Sequence, residues 1–534
     1  MLKKYTLFFL ALIFSYSSYC QNMNIVWQKV IGGIDSDAVS SIVACPNNSG
    51  YYLFGGSNSN ASGEKSENSR GGVDLWLVKT DNYGDIEWEK TIGGSDGDNA
   101  IDALILNDTL FLLSRSNSDI SGDKTTVNYG SADIWLLALD LDGTILFQQN
   151  YGGNSIEFPK KLTYLKGNSL LISSESSSGA NGNKSLPLKG GMDVWVLEID
   201  KRNGSILSQF SYGTSEFDEV SRIVSDDYGN IYIMAASNGT NIDKTAVGNG
   251  SIDIWLIKLD ENFNEIDQKC FGGNNTEYGS ESDILIDGDY IYFVCSSQSD
   301  VSGNKTAPRY GSSITRDYWL VKLDLDLNIV WDRSFGGTNT DQSFVLQKSY
   351  NKIVIGGFSR SAKDTGTRTS FNYGETDIWM VIVDENGNEI AQQSYGGSSF
   401  DSCTSFIEDG LGNLIIAGTS QSPISGNKTL ASKGGSDYWL LKINAIQPLN
   451  TINHKHTIKL SAYPNPTSEM VEILSNEPIE AIEIFDITGK VLYNVSFDNL
   501  SNQVKLNVSH LTSGVYFVKA SSKKGNRIIK LVIE

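Results

Sequence analysis

Histidine is nearly absent from this chain: there are three, at 454, 456 and 510, and none in the first 450 residues. Over that stretch Ser–His and Cys–His nucleophile systems are excluded, and the commonest zinc ligand is missing. Cysteine is scarce as well, with five residues, none in a C-x-x-C pair. Without Cys20 of the leader, four remain, Cys45, Cys270, Cys295 and Cys403, too few for a disulfide framework in a chain this long. They read as thiols buried in strands. Positive charge is in deficit: 42 Lys and Arg against 63 Asp and Glu give a net charge of −21. That disfavours nucleic acid, whose binding rests on basic contacts to phosphate, and suits an extracellular protein. No segment shows helical periodicity. Beyond the N-terminus no apolar run is long enough to span a bilayer.

The one apolar run, Thr6 to Phe14, follows Lys3 and Lys4. This is a secretory signal peptide over residues 1–20, with Ser18 and Cys20 small enough to precede a cut at Gln21. A lipidated Cys20 is disfavoured by the bulk of Tyr19. Removing the two lysines takes the net charge to −23.

What the chain has is a repeat. Asp-x-Trp occurs seven times, ending at Trp76, Trp135, Trp195, Trp255, Trp319, Trp379 and Trp439, at intervals of 59, 60, 60, 64, 60 and 60 residues. A fixed period of this length marks an array of like units. The second unit reads as four short strands, Asn99–Ile105, Thr109–Ser114, Asp133–Leu139 and Thr144–Tyr151, separated by polar breaks. Four antiparallel strands per period are the content of one propeller blade. Third strands number seven, but fourth strands reach seven only if Ile25-Val26-Trp27 is included. The expectation is therefore an all-β, seven-bladed β-propeller over residues 21–444, closed by its N-terminal strand. The repeated Trp is expected to pack between neighbouring blades; an aromatic row for sugar stacking is the weaker alternative.

Three further motifs recur. An Asp opens the turn before the fourth strand and Gly or Asn closes it, as in Asp81 to Gly84, Asp140 to Gly143, Asp200 to Gly204, Asp260 to Asn264, Asp324 to Asn328 and Asp384 to Gly387. A Gly pair such as Gly93-Gly94 follows the fourth strand, replaced once by Gly213-Thr214, and four residues past its second member stands an acid: Asp37, Asp98, Glu157, Asp218, Glu277, Asp341 or Asp401. That acid is expected to accept hydrogen bonds in the crossing. The loop before each third strand carries Lys65, Lys124, Lys184, Lys244, Lys305, Arg368 or Lys428, most clearly in Ser121-Gly122-Asp123-Lys124-Thr125. Loop and crossing emerge on one face, so seven reciprocal salt bridges between acids and bases are expected.

With the Gly-rich approach to Asp-x-Trp, the Lys79-x-Asp81-x-x-Gly84 turn and Trp88 ahead of Gly93-Gly94, the repeat resembles the bacterial seven-bladed β-propeller family of SBBP type, over about Asn24 to Asn444. Residues 445–459 form a linker containing His454 and His456. The remainder, 460–534, carries Tyr463-Pro464-Asn465-Pro466, then Ile484-Phe485-Asp486-Ile487-Thr488-Gly489-Lys490, and later Gly514-Val515-Tyr516-Phe517. It reads as a small β-sandwich and resembles the type A C-terminal sorting domain of type IX secretion found in Bacteroidetes. The resemblance implies export through the periplasm, engagement of the outer-membrane machinery, and delivery to the cell surface or medium.

Gly93-Gly94-Ser95-Asp96-Gly97 matches G-x-S-x-G in form, but it is one copy of the crossing and has no His partner. No cofactor motif appears, no D-x-[DN]-x-[DN]-G calcium loop, and no metal site is assigned. A ligand site belongs where the repeat breaks. The fifth unit has the period of 64 and brings Arg309, Tyr310 and Arg316 into one loop; the sixth replaces Ser-Gly-Asn-Lys with Thr365-Gly366-Thr367-Arg368, near Phe371 and Tyr373. Arg and Tyr are favoured at recognition surfaces. The leading expectation is a non-catalytic exported propeller that binds a glycan, peptide or surface partner. The runner-up is a carbohydrate-active hydrolase or lyase with paired carboxylates in the central depression. A structural envelope component would need no site at all.

Overall fold

The computed structural model describes residues 23–165, 167–445, 460–487, 490–522 and 525–534, in two compact units that divide between Gln447 and Pro448. The expected signal peptide, His454 and His456 lie outside the described residues.

The first unit is built from seven four-stranded antiparallel sheets and, among the described residues, one three-residue 3-10 turn. The first sheet comprises Asp37–Ala44, Tyr51–Ser57, Asp74–Thr80 and Ile86–Ile92. The second unit of the repeat gives strands Asp98–Leu106, Thr109–Ser116, Asp133–Leu139 and Ile145–Tyr151. The seventh sheet takes three strands from the end of the array, Asp401–Glu408, Asn413–Ser420 and Asp437–Asn444, and its fourth from the other end of the unit, Asn24–Ile31. Val30 pairs with Trp439 there. The third strands are the most buried, Asp133–Leu139 and Asp377–Val383 at every position, as strands packed on two sides must be.

Each Trp of Asp-x-Trp is fully buried and sits in an apolar cluster spanning two sheets. Trp135 joins Tyr52, Phe54, Leu75 and Leu77 of the first sheet. Trp255 joins Leu171, Val194 and Val196 of the third. Trp76, in the first sheet, joins Ile415, Ala417, Tyr438 and Leu440 of the seventh. The indole N–H is capped by a side chain of its own sheet, as in Trp135 to Gln148 at 3.0 Å and Trp379 to Gln392 at 3.1 Å. The first strands of successive sheets also pack on one another, and Asp37–Ala44 packs on Asp401–Glu408.

The turn before the fourth strand works as its sequence suggests in four units. Asp81 Oδ1 accepts N–H bonds from Tyr83 and Asp85, at 2.8 and 2.9 Å, and Gly84 takes φ +76°. Asp260 and Asp324 depart from the expectation: the left-handed residues are Phe263 and Leu327, at φ +64° and +60°, not Asn264 or Asn328. Apolar contact offsets the strain. Phe263 stacks on Phe210 with centroids 4.0 Å apart, and Leu327 is buried. The Asn amide instead ties back to the Asp, at 2.9 Å for Asn264 and 3.0 Å for Asn328.

The crossing acids are all fully buried and accept the N–H of the residue four before, for example Gly94 N to Asp98 at 2.7 Å and Thr214 N to Asp218 at 2.6 Å. The expected salt bridges to the loop bases do not form: among the described residues no ion pair joins the two sets. The bases are buried too and spend their donors on carbonyls, as with Lys124 Nζ to Ser118 O at 2.7 Å and Lys428 Nζ to Ser422 O at 2.7 Å. Several lie over the indole of the same sheet, Lys124 at 5.7 Å from the Trp135 centroid. The reason is reach. The loop folds back on its own strand end, where carbonyls are closer than the carboxylates. Ion pairs between neighbouring loops use other residues: Arg70 with Asp123 at 2.8 Å, Lys189 with Asp243, and Lys433 with Glu64.

All four described cysteines are free and buried, and burial pushes the Cys45 and Cys270 thiols up to about 11.

The second unit holds the strands Leu460–Tyr463, Met470–Phe485, Val491–Asn507, Gly514–Ser522 and Gly525–Ile533. They form one hydrogen-bonded five-stranded sheet, where a β-sandwich was expected. The two long strands shift register between Leu474 and Ala481, which bends the sheet, and its end strands touch. Val471, Ile473, Ile482, Val518 and Leu531 pack together in its apolar core.

Candidate functional site

The first strands of the seven sheets each carry a β-bulge, in six of them two to four residues after the crossing acid, as between Val39 and Ser41 or Val220 and Arg222. A bulge re-aims side chains. The residue that resumes pairing differs from sheet to sheet: Ser41, Asp102, Lys161, Arg222, Asp283, Val345 and Ser405. The second to fifth sheets thus present acid, base, base, acid, and the other three present no charge.

These charges are paired across sheets. Lys161 Nζ lies 3.3 Å from Asp102 Oδ1, and the Leu162 N–H donates to Asp102 Oδ2 at 3.0 Å. Arg222 Nη1 is 2.8 Å from Asp283 Oδ1, while the Leu346 N–H donates to Asp283 Oδ2 at 2.9 Å. Each acid thereby ties its own first strand to the next one.

Beside this row lies a second group, on the bulges themselves and the ends of neighbouring strands. Lys160 Nζ is 3.0 Å from Glu175 Oε1, which also accepts the Val220 N–H at 3.2 Å. Glu219 accepts the Ser280 N–H at 3.1 Å. In the fifth sheet the bulge is wide, four residues between Tyr278 and Asp283, and it carries Glu281. Arg316 pairs with Glu281, and its guanidinium lies 4.0 Å from the Tyr278 ring centroid. Glu281 Oε2 is buried and has no hydrogen-bond partner. Burial raises the pKa of both Glu175 and Glu281; Lys160 and Arg316 respectively oppose the rise, and the Glu219 charge adds to both. Three carboxylates from three sheets therefore share one neighbourhood, two of them pushed toward the protonated form. Among the described residues no group of three or more His, Cys, Asp and Glu is arranged to hold a metal ion.

Of the residues singled out from the sequence, Arg316 belongs to this cluster. The loop insertion puts it there: Lys305 and Trp319 are 14 residues apart, against 11 in every other unit. Arg309 turns inward, its guanidinium donating to the carbonyls of Gln298 and Gly311. Tyr310 covers Gly366 of the next loop, so the two irregular loops touch. Arg368 is fully buried, its guanidinium donating to Phe371 O at 3.1 Å and Ser394 Oγ at 2.9 Å and lying 5.2 Å from the Trp379 centroid. It fills the place of the buried lysines and presents nothing to solvent. Tyr373 covers Gly426 as Tyr310 covers Gly366. Phe371 is 56% exposed, with Lys363 Nζ 4.2 Å from its ring centroid. Glu175, Glu219, Glu281, Lys160 and Arg222 were not singled out. Aligning the units on the crossing acid and reading three to five residues on reaches Lys160, Arg222 and Glu281; Glu219 directly follows its crossing acid and Glu175 lies in a second strand, where that register does not find them.

Two shallow clefts, each of about 410–420 Å³, lie elsewhere. One is lined by Val247, Cys270, Phe271 and Asn304. The other lies between the first and seventh sheets, with Val26, Trp27, Tyr83 and Leu411 on its walls. Neither contains a residue of the charged cluster; the second also carries Glu408, Asp409 and Lys442, with Lys442 Nζ 2.8 Å from Asp409 Oδ2.

Among solved structures the chain is similar to the hydrazine synthase of Kuenenia stuttgartiensis, at 11% identity and a TM-score of 0.40, covering 72% of this chain and 94% of that one. It is similar to an apocarotenoid oxygenase of Synechocystis, at 11% identity and TM-score 0.37, covering 81% and 96%. It is also similar to an endosialidase of phage phi92, at 13% identity and TM-score 0.37, covering 95% and 87%. Likeness at this level carries no statement about activity. No curated protein matches the chain. Among the described residues no helix is long and apolar enough to cross a membrane. Residues 461–534 match the family model described as the secretion system C-terminal sorting domain, the type IX signal, and the chain is therefore exported to the cell surface or the medium.

Proposed function

We propose that this protein is an exported, non-catalytic binding or display protein whose first unit is a seven-bladed β-propeller of the SBBP type, delivered by type IX secretion. Supporting the architecture are the seven sheets, the Trp clusters that each span two of them, and the pairing of Asn24–Ile31 with the seventh sheet. In this reading residues 21–444 are the propeller, 445–459 a linker and 460–534 the sorting domain.

The observation that carries the binding reading is the asymmetric charged cluster on the first strands. A scaffold of like units has no structural need for Lys160, Glu175, Glu219, Glu281 and Arg316 in three adjacent sheets only. Arg316 over Tyr278 is the recognition element, flanked by the loop with Arg309 and Tyr310 and the loop with Arg368, Phe371 and Tyr373. Arg309, Tyr310, Arg368 and Tyr373 hold the loops; Arg316 and Phe371 meet the ligand. Mixed charge beside aromatic rings suits a polar glycan or peptide.

A second reading, a carbohydrate-active hydrolase or lyase, is favoured by one feature: burial raises the pKa of Glu175 and Glu281, and Glu219 brings a third carboxyl group near both. The test is a glycan and peptide array probed with the full chain and with Arg316→Ala, followed by product analysis of any hit. Binding that is unchanged in Arg316→Ala sinks the binding site. Product formation abolished by Glu175→Gln, Glu219→Gln or Glu281→Gln establishes the enzyme, whereas turnover that survives all three removes it.

A further inference from the structure

The two most regular motifs of the repeat meet at every junction between sheets. The Asp of Asp-x-Trp, on one third strand, lies beside the crossing acid that opens the next first strand. The pairs are Asp74 with Asp98, Asp133 with Glu157, Asp193 with Asp218, Asp253 with Glu277, Asp317 with Asp341, Asp377 with Asp401, and Asp437 with Asp37. All fourteen side chains are buried, and in each pair the charge of one raises the pKa of the other. Their closeness can be read from the first glycine of the crossing. A Cβ on Gly152 would stand 2.2 Å from Asp133 Oδ1 and 2.7 Å from Glu157 Oε2; on Gly272, 2.0 Å from Asp253 Oδ1 and 2.4 Å from Glu277 Oε2; on Gly396, 2.0 Å from Asp377 Oδ1 and 3.0 Å from Asp401 Oδ2.

The donors fall short of the acceptors at six of the seven junctions; at the other, Asp193 Oδ1 accepts the Gly190 N–H at 3.2 Å and Thr214 donates to both oxygens of Asp218. Oδ2 of the motif Asp takes a backbone N–H, from Tyr129 to Asp133 at 2.5 Å and from Tyr373 to Asp377 at 2.6 Å. The crossing acid takes the glycine N–H and a serine hydroxyl, as Glu157 does from Gly153 and Ser176. Oδ1 of Asp74, Asp133, Asp253, Asp317, Asp377 and Asp437 is buried with no partner. The seven loop bases stand between the junctions without forming an ion pair to these groups, and each lysine among them donates to a carbonyl. Two ionised carboxylates would therefore bury an excess negative charge and leave an oxygen without a hydrogen bond.

We propose that each of these six junctions holds one acidic proton, shared between the motif Asp and the crossing acid, so that the protein carries a ring of carboxyl–carboxylate hydrogen bonds, interrupted only at Asp193, that tightens the junctions below neutral pH and is lost in mildly alkaline medium. The proton supplies the missing donor and removes the excess charge. Around Asp133 and Glu157 the facing groups are Lys124 and Lys184 from the two flanking loops and Asn150, whose amide donates to Asp133 at 2.6 Å. Around Asp317 and Asp341 they are Lys305, Arg309, Arg368 and the Tyr318 hydroxyl. Burial first, and the partner acid as well, push Asp133 to about 7, Asp377 to about 7 and Asp317 to about 8. These folded values lie above the ordinary carboxylate range near 4. The stabilisation is thus complete below about pH 4 and is lost as pH rises through about 7 to 8. The turn carboxylates, such as Asp260 and Asp384, are shifted the other way and act only as pH falls toward 4 or below. Lys124, whose pKa burial lowers to about 8, begins to titrate at the top of the window from pH 5.5 to 8.5 and acts in the opposite direction, so it is the comparison of wild type with the junction variants that isolates the ring.

The experiment follows thermal unfolding of the full chain across that window, beside Asp133→Asn and Asp317→Asn, and records the infrared carbonyl band of protonated carboxyl groups at pH 7. The expected result is a Tm that falls with rising pH, a protonated-carboxyl band in the wild type that weakens in each variant, and a smaller fall in the variants, whose amide donates permanently to the partner acid. Relative to wild type, the variants' unfolding constant should improve by up to about tenfold per pH unit within the window. The three histidines lie outside the first unit and cancel in the difference. A flat or rising Tm, absence of the band at pH 7, or abolition of the fall by added sodium or calcium would overturn the proposal, the last by placing a cation between the carboxylates. If a variant does not fold, the wild-type band alone decides.

Discussion

The junctions between sheets and the first strands within them obey opposite rules. At each junction an indole, a buried base, an acid pair and a tight crossing recur with few substitutions, Arg368 for Lys and Thr214 for Gly among them. In the first strands the residue after the bulge runs through Ser, Asp, Lys, Arg, Asp, Val and Ser. Burial alone does not explain the difference, since Ser41, Asp102, Asp283 and Val345 are buried and still differ from one another. A junction must satisfy the same geometry seven times, and any change leaves a cavity or an unpaired polar group. A first strand needs only its backbone ladder and one partner across the gap, and different side chains can supply that. Position-specific chemistry therefore has room on the first strands and little at the junctions.

The comparison can be broken most forcefully at an indole. Trp255→Ala should cost about 3–5 kcal/mol, because it empties a cluster shared by two sheets; denaturant unfolding reads the loss, and a cost below about 1 kcal/mol would deny the junctions their role. Next is Lys124→Met. Its ammonium donates to Ser118 O and Ser116 Oγ, so the substitution leaves buried acceptors empty and should cost about 1–3 kcal/mol. On the first-strand side, Arg316→Ala should cost about 1–3 kcal/mol by leaving the Glu281 carboxylate unpaired, and Glu281→Gln placed on top should recover part of it. A double-mutant cycle showing no coupling would separate Arg316 from the carboxyl cluster. The smallest effect belongs to the ion pair between neighbouring loops. Asp123→Asn, opposite Arg70, should change stability by no more than about 1 kcal/mol and should lose even that in high salt.

Much of the architecture was legible because the period is long and its marks are dense. Asp-x-Trp counts the third strands, and the Asp-opened turns separate them from the fourth. The leftover strand at Ile25 points to the seventh sheet. The turn register was misread at Asp260 and Asp324, since Asn was taken as the left-handed residue. The stacking of Phe263 on Phe210, and the burial of Leu327, let an unfavoured residue hold that conformation. Salt bridges between crossing acids and loop bases were the natural pairing of opposite charges on one face. They fail because each lysine is held by its own loop's carbonyls.

The candidate site was less legible. Arg316 was found because a longer period flags an insertion. Arg368 was flagged by its departure from the motif, yet it does the work of a lysine. Glu175, Glu219 and Glu281 went unremarked among 63 acids, because nothing in composition distinguishes a carboxylate that three sheets will bring together.

The sequence by itself determined the unit, its repetition and the export signal, for these are written as local patterns with fixed spacing. Only the tertiary structure decided which acids stand face to face and which bases are neutralised by carbonyls. It alone decided where charge of both signs collects. Such outcomes depend on distances of a few ångströms between residues far apart in the chain, and spacing along a strand does not encode them.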